Sequence, residues 1–102
     1  MKILYITCKD FEEATAISKK CVNMQLAACG NIFPITSCYL WENEVQDENE
    51  HVLLLKTNDA KAENLTNEIK RLHSYAVPCI LEIEAKANPE YEKWLNDYLE
   101  NK

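Results

Sequence analysis

Glycine and arginine are almost missing from this sequence of 102 residues, which has Gly30 and Arg71 as the single examples of each. An average composition predicts roughly seven glycines in this length. Their scarcity excludes a glycine-rich phosphate loop and a dinucleotide-binding fingerprint. Acidic residues outnumber basic ones by 17 to 11, for a net charge of −6. We therefore expect no nucleic-acid partner, because neutralising phosphates requires a basic face.

Long apolar runs and paired cysteine motifs are also missing. No run approaches the ~20 residues that span a bilayer, so we expect no membrane segment. The start of the chain lacks the layout of a signal peptide, which predicts a cytoplasmic protein. An odd number of cysteines excludes complete pairing within the chain, and no two form a Cys-x-x-Cys motif, which indicates reduced thiols. The five are Cys8, Cys21, Cys29, Cys38 and Cys79.

Hydrophobic periodicity predicts a strand at 3–8 and a helix over 10–26, which Asp10 and Glu13 begin as a capping-box-like pair. The apolar face of this helix is predicted to comprise Phe11, Ala14, Ile17, Cys21 and Met24.

A long hairpin is predicted next. Its first strand, 28–42, contains Pro34, which favours an edge position because proline cannot donate to a ladder. Asn43 tolerates the left-handed conformation of a tight turn. The second strand ends with the apolar residues 51–57, and the acidic residues 44–50 are expected to form the tip of the hairpin.

The last third of the chain predicts a helix from Asn58 or Asp59 to about Tyr75, where Pro78 disfavours further helix. A strand over 79–87 alternates apolar and charged residues, which is typical of an edge strand with one solvated face. A short helix then follows Asn88 and Pro89.

The resulting order, β-α-β-β-α-β with an extra C-terminal helix, predicts a single α+β domain over residues 1–102 with a ferredoxin-like arrangement. In that arrangement the first and third strands are central, and these are the two with continuous apolar runs. Two helices leave one sheet face uncovered. Tyr39 and Trp41 on that face are either ordinary packing residues or part of a surface for a partner.

Few residues of the sequence suggest a catalytic, metal-binding or anion-binding role. His73 either binds the free carbonyls at the end of its helix or ligates a metal together with Cys8, which ends the first strand. His51 is expected to be solvated. Lys56 either binds an anion or forms a surface ion pair. No serine lies in a nucleophile elbow and no other catalytic arrangement is recognisable, so we expect a protein that is not an enzyme.

Six short motifs, in order along the chain, resemble the CutA-type divalent-cation tolerance family. The resemblance implies a ferredoxin-like subunit in a tight homotrimer that is similar to PII-type signalling proteins, and the long hairpin would be the inter-subunit arm. The motifs are Leu26-Ala27-Ala28-Cys29, Asn31-Ile32-x-Pro34, Ser37-x-Tyr39-x-Trp41, Leu55-Lys56-Thr57, His73-x-Tyr75-x-x-Pro78 and Tyr91-x-x-Trp94.

The same resemblance implies tolerance to copper or other divalent metals, with Cys8 and His73 at positions of copper ligands in some bacterial members. The usual His-His-Pro-Tyr-Glu pattern is altered here, with Leu72 for the first histidine and Ser74 for the proline. Cys79 stands where a glutamate is common, and as a softer ligand it would favour Cu(I).

Two functions therefore stay open. The first is a trimeric metal-binding protein with Cys8, His73 and Cys79 as ligands, and with Cys29 or Cys38 nearby. The second is a PII-like regulatory module. In that case a small anionic ligand or a loop of a partner protein would occupy an inter-subunit cleft, lined by Tyr39, Trp41, Lys56, His73 and Tyr75.

Overall fold

The computed structural model describes residues 1–101 and contains an antiparallel sheet in the strand order β2-β3-β1-β4. The predicted order of elements is confirmed, as are the central positions of the first and third strands. Their bounds are β1 Lys2–Cys8, α1 Phe11–Asn23, β2 Cys29–Trp41, β3 Glu44–Thr57, α2 Asp59–Leu72, β4 Ile80–Glu84 and α3 Pro89–Glu100.

Both long helices begin with side-chain caps. The Asp10 carboxylate accepts a 2.8 Å hydrogen bond from the amide of Glu13, and Asn58 accepts a 3.0 Å bond from the amide of Lys61. These bonds satisfy amides that the first helical turn leaves free. Both helices end earlier than predicted. Gln25 has a φ of 57° that reverses the chain after α1, and His73 adopts extended backbone directly after α2.

The main core lies between α1, α2 and one face of the sheet. Within α1, Ala14, Ile17 and Cys21 are buried as predicted, whereas Phe11 and Met24 at the two ends are about half exposed. The predicted apolar stripe is therefore correct only in its centre. The buried residues of this core are Leu4, Ile6, Cys8, Ala14, Ile17, Cys21, Ala27, Leu53, Leu55, Leu65 and Ile69.

The β2–β3 hairpin closes tightly at Glu42 and Asn43, which both have positive φ. The acidic residues Glu44–Glu50 form the distal half of the hairpin as expected, where they belong to β3 and pair with Ile35–Trp41 of β2. Since β1 ends at Cys8, opposite His51, these two segments pair only with each other within residues 1–101. They form a two-stranded arm, which we define as Ile35–Glu50.

The uncovered face of the sheet is apolar at the short edge strand. Leu81 and Ile83 of β4 pair with Tyr5 and Ile3 and are about half exposed. The predicted edge position of β4 is confirmed, and its charged residues Glu82 and Glu84 are exposed as expected. Glu84 lies on the helix-covered side at the sheet margin, where its carboxylate lies 2.5 Å from Nζ of Lys2. An apolar open face predicts a partner surface.

The C-terminal helix α3 packs against the end of the sheet at which β1 and β2 begin. Leu95 and Leu99 pack against Ala28 in a small second cluster, and the Tyr98 hydroxyl donates a 2.6 Å hydrogen bond to the carbonyl of Val22. Pro89 occupies the start of the helix as predicted, although Asn88 makes no side-chain cap bond. No helix within residues 1–101 is long and apolar enough to cross a membrane.

Candidate metal centre and the adjoining cavity

Three potential metal ligands meet at one end of the sheet. Cys8 is the last residue of β1, Glu13 lies in the first turn of α1, and His73 directly follows α2. Their ligating atoms all lie within 4.8 Å of one another. We call these three residues the donor group. The predicted proximity of Cys8 and His73 is therefore confirmed, and Glu13, assigned from the sequence only to helix capping, joins them.

His73 is held by two hydrogen bonds to the backbone. Its Nε2 lies 2.8 Å from the carbonyl oxygen of Thr7, and its Nδ1 lies 3.0 Å from the amide nitrogen of Tyr75. A carbonyl oxygen only accepts and an amide only donates, so Nε2 carries the proton and Nδ1 accepts. The ring is thus a neutral imidazole whose lone pair is engaged by the Tyr75 amide, and a metal that binds at Nδ1 would have to displace that amide.

The Glu13 carboxylate connects the donor group to two backbone amides. One carboxylate oxygen accepts a 3.0 Å bond from the amide of Lys9, and the other accepts a 2.9 Å bond from the amide of Ser74. Burial favours a higher pKa for Glu13, but the hydrogen bonds from Ser74 and Lys9 outweigh it and lower the pKa. The carboxylate is therefore ionised and available as an oxygen ligand.

Cys8 is fully buried, and its thiol is strongly disfavoured from ionising. Burial, followed by the charges of Glu13, Glu50 and Asp10, raises its pKa to about 12. The thiolate is the form that binds metals, so metal binding at Cys8 releases a proton. Affinity at this position would consequently rise with pH.

A cavity of about 600 Å³ lies beside the donor group, between the base of the arm and the segment that follows α2. We call it the arm cavity. Tyr75 links the two features, because its ring centroid lies 4.8 Å from that of His73 and its hydroxyl donates a 2.7 Å hydrogen bond to Glu50. The principal side chains that line the cavity are Tyr39, Trp41, Glu48, Glu50, Tyr75 and Cys79.

The arm cavity is acidic. Glu48 and Glu50 line it, and no lysine or arginine of residues 1–101 does. Interaction with the Glu48 carboxylate raises the pKa of the Tyr39 phenol, and burial together with Glu50 raises the pKa of Tyr75. Both phenols therefore remain neutral at physiological pH. This charge pattern favours a cation over an anionic ligand.

The structure does not bring Lys56 to the cavity. The strand register pairs Lys56 with Ile3 and Cys29, near the opposite end of β1 from Cys8. There its Nζ lies 5.4 Å from the ring centroid of Tyr91. Within one chain, Tyr39, Trp41 and Tyr75 line the arm cavity, and Lys56 lies too far along β3 to join them. The predicted inter-subunit cleft stays a prediction.

The other cysteines also lie outside the donor group. Cys79 is exposed and lines the arm cavity, Cys29 lies beside Lys56, and Cys38 is exposed on the arm opposite Asp47. Sequence reasoning missed Glu50 as a site residue. The only signal was its parity with Glu48 on β3, which became meaningful once the arm register was known.

The fold and the donor group together define a small α+β protein with a thiol, imidazole and carboxylate grouped at one sheet end. A family model described as the CutA1 divalent ion tolerance protein matches residues 2–98. The chain belongs to this CutA1 family.

Curated relatives and solved structures agree with this membership. The divalent-cation tolerance protein CutA of Thermus thermophilus is 40% identical over 98 residues, covering 94% of this chain and 95% of the relative. The Archaeoglobus fulgidus protein of the same name is 37% identical over 98 residues, covering 95% and 96%. A solved structure of CutA1 from Ehrlichia chaffeensis superposes with a TM-score of 0.93 at 37% identity, covering 96% of this chain and 94% of that one.

Proposed function

We propose that this protein is a divalent-cation tolerance protein that binds copper, or another divalent metal, at the donor group, and that it is not an enzyme. The observation that carries the proposal is the convergence of Cys8, Glu13 and His73 within 4.8 Å. The names of its relatives refer to cation tolerance and to no reaction, which also supports it.

The chemistry of the donor set suits copper. A thiolate is a soft ligand, imidazole is borderline and carboxylate is hard, and copper accepts the first two in either oxidation state. Cys8 would supply sulfur after losing its proton, and His73 would supply Nδ1 after releasing the amide of Tyr75. Glu13 would balance the metal charge. Cys79 completes the site only if the segment after α2 moves it from the arm cavity toward Cys8.

Calorimetric titration with Cu(I) and Zn(II) under reducing conditions tests the metal site. We expect Cys8→Ala to weaken binding by at least tenfold. Cys21→Ala is the matched control, because Cys21 is also fully buried but lies outside the donor group. Equal affinities of the wild type and Cys8→Ala would contradict the proposal. Cys79→Ser tests the further ligand, and unchanged Cu(I) affinity would remove Cys79 from the site.

We also propose that the subunit is ferredoxin-like and assembles as a homotrimer with PII-like architecture. The exposed apolar residues Phe33, Leu81 and Ile83 on one sheet face, and the long arm, support an assembly that covers them. Light scattering on the purified protein is expected to give three times the chain mass of 11.8 kDa. A mass of one chain at micromolar concentration would contradict this assembly.

We place the protein in the cytoplasm. Five free cysteines, of which Cys38 and Cys79 are exposed, support a reducing compartment, since exposed thiols oxidise elsewhere. Fractionation of source cells with an antibody to the chain tests this placement, and recovery in an extracytoplasmic fraction would contradict it. The regulatory alternative with a small anionic ligand lacks a supporting observation, because the arm cavity is acidic and Lys56 lies elsewhere.

A further inference from the structure

We propose that the arm cavity binds a linear aliphatic diammonium ion, of the diamine or polyamine class. This inference goes beyond the proposed metal function and does not depend on it. The cavity lies between the base of the arm and the segment after α2, while the donor group lies at the helix-covered end of β1. The two sites are neighbours with different chemistry.

A buried carboxylate without a cation is the first observation. Glu50 is only 7% exposed, and within residues 1–101 no lysine, arginine or histidine forms an ion pair with it. Among the described residues, the one hydrogen bond to its carboxylate comes from the neutral hydroxyl of Tyr75. A desolvated carboxylate is costly unless a positive charge compensates it. A bound ammonium group would supply that charge and also donate hydrogen bonds.

The spacing of the acidic side chains is the second observation. Glu48 and Glu50 alternate with Asn49 along β3, so both point to the same face of the arm and both line the cavity. Two residues along a strand are about 7 Å apart. Gln46 continues the row by one further step and adds an amide oxygen. A row of this kind matches two ammonium groups joined by a short alkyl chain.

The walls of the cavity supply the third observation. Tyr39, Trp41 and Tyr75 line it together with Val77. Aromatic faces attract cations and also pack against methylene groups. A volume of about 600 Å³ lies within the range of small-ligand sites. Aromatic walls do not coordinate a bare metal ion, and two carboxylates repel an anion, so an organic cation fits this combination best.

Calorimetry on the purified protein in its native assembly tests the proposal, with putrescine as the probe. We expect putrescine to bind with micromolar to submillimolar affinity. Butylamine, which has one ammonium group, should bind at least tenfold more weakly, and 1,4-butanediol should not bind. No putrescine binding at millimolar concentration, or equal binding of butanediol, would overturn the proposal.

Charge-neutralising variants locate the site. Glu48→Gln should weaken putrescine binding at least tenfold, and Glu50→Gln should do the same. Asp47→Asn is the matched control, because Asp47 is an exposed acidic neighbour that points to the opposite face of β3. If Asp47→Asn weakens binding as much as Glu48→Gln, the interaction is non-specific charge attraction and the proposal fails. Glu48 is exposed, so its variant tests the site even where Glu50→Gln perturbs folding.

The same measurements separate this site from the metal site. Cys8→Ala should weaken metal binding by at least tenfold and leave putrescine affinity unchanged. Displacement of putrescine by Zn(II) in the Cys8→Ala variant would make the arm cavity a metal site instead, and would overturn the inference. Binding of putrescine to a protein that binds no metal would contradict the proposed function alone.

Discussion

The Tyr75 hydroxyl lies 2.7 Å from Oε2 of Glu50, which connects the segment after α2 to the base of the arm. The backbone of Tyr75 also contacts the donor group, because its amide donates to Nδ1 of His73. One residue therefore touches both candidate sites. Its side chain satisfies a buried carboxylate, and its backbone holds the histidine ring in place.

Removal of the Tyr75 hydroxyl should lower the stability of the fold. Tyr75→Phe leaves the buried Glu50 carboxylate without its donor, which is expected to lower the free energy of unfolding by about 1–3 kcal/mol. Urea denaturation measures this difference. Tyr5→Phe is the control, since the structure shows no hydrogen-bond partner for that hydroxyl among the described residues. Equal stabilities of Tyr75→Phe and the wild type would show that the bond contributes nothing.

The buried thiol of Cys21 predicts a loss of stability in alkali. Burial, with a smaller effect of Glu68, raises its pKa from 9.0 to about 11. Between these values the unfolded chain has lost the proton that the folded chain keeps, so the free energy of unfolding falls as the pH rises. From about pH 8 to about pH 10.5 we expect the wild type to lose about 1–2 kcal/mol more than Cys21→Ala.

Urea denaturation of both proteins at the two pH values, with a reductant present, measures this difference. Cys8 titrates in the same direction but is common to both proteins, so its contribution cancels. Parallel pH profiles would mean that the Cys21 pKa is unshifted by folding.

Gly30 is predicted to be required for the packing of α1 on β2. A Cβ atom at this position would lie 2.0 Å from Oγ of Ser18 and 3.2 Å from Leu55. Gly30→Ala is therefore expected to destabilise the fold by about 1–3 kcal/mol. In a Ser18→Ala background the main clash is absent, and the cost should fall by about 1 kcal/mol. A double-mutant cycle by urea denaturation tests this coupling, and additive effects would contradict it.

The fold followed closely from the sequence because its signals are local. Continuous apolar runs identified β1 and β3 as central strands, and Asn43 identified the turn, where its φ is 64°. Local signals do not show how far the two strands of the hairpin pair beyond the body of the sheet. Glu44–Glu50 has little apolar character, and its strand conformation comes from pairing with β2, which a local pattern does not show.

The candidate site was predictable only in part. Cys8 and His73 were paired from their positions at element ends, and the structure brings them together. Glu13 was assigned to a cap, and its carboxylate reaches Ser74, which lies 61 residues away along the chain. Within one chain Lys56 lies away from Tyr39 and Tyr75. Its place in the predicted cleft depends on how subunits meet, which a sequence pattern does not show. Contacts between segments that are distant along the chain, or in different subunits, decide where both side chains lie.

The arm also makes the local stability of the protein uneven along the chain. A ribbon of two strands is marginal by itself, whereas the opposite wall of the arm cavity is anchored through Tyr75 and His73 to β1. The two walls therefore belong to units of different local stability, and the arm should open in brief excursions while the sheet stays folded. A ligand that contacts both walls would suppress these opening motions. Slowed amide exchange along Ile35–Glu50 would then report occupancy, with no change in average structure required.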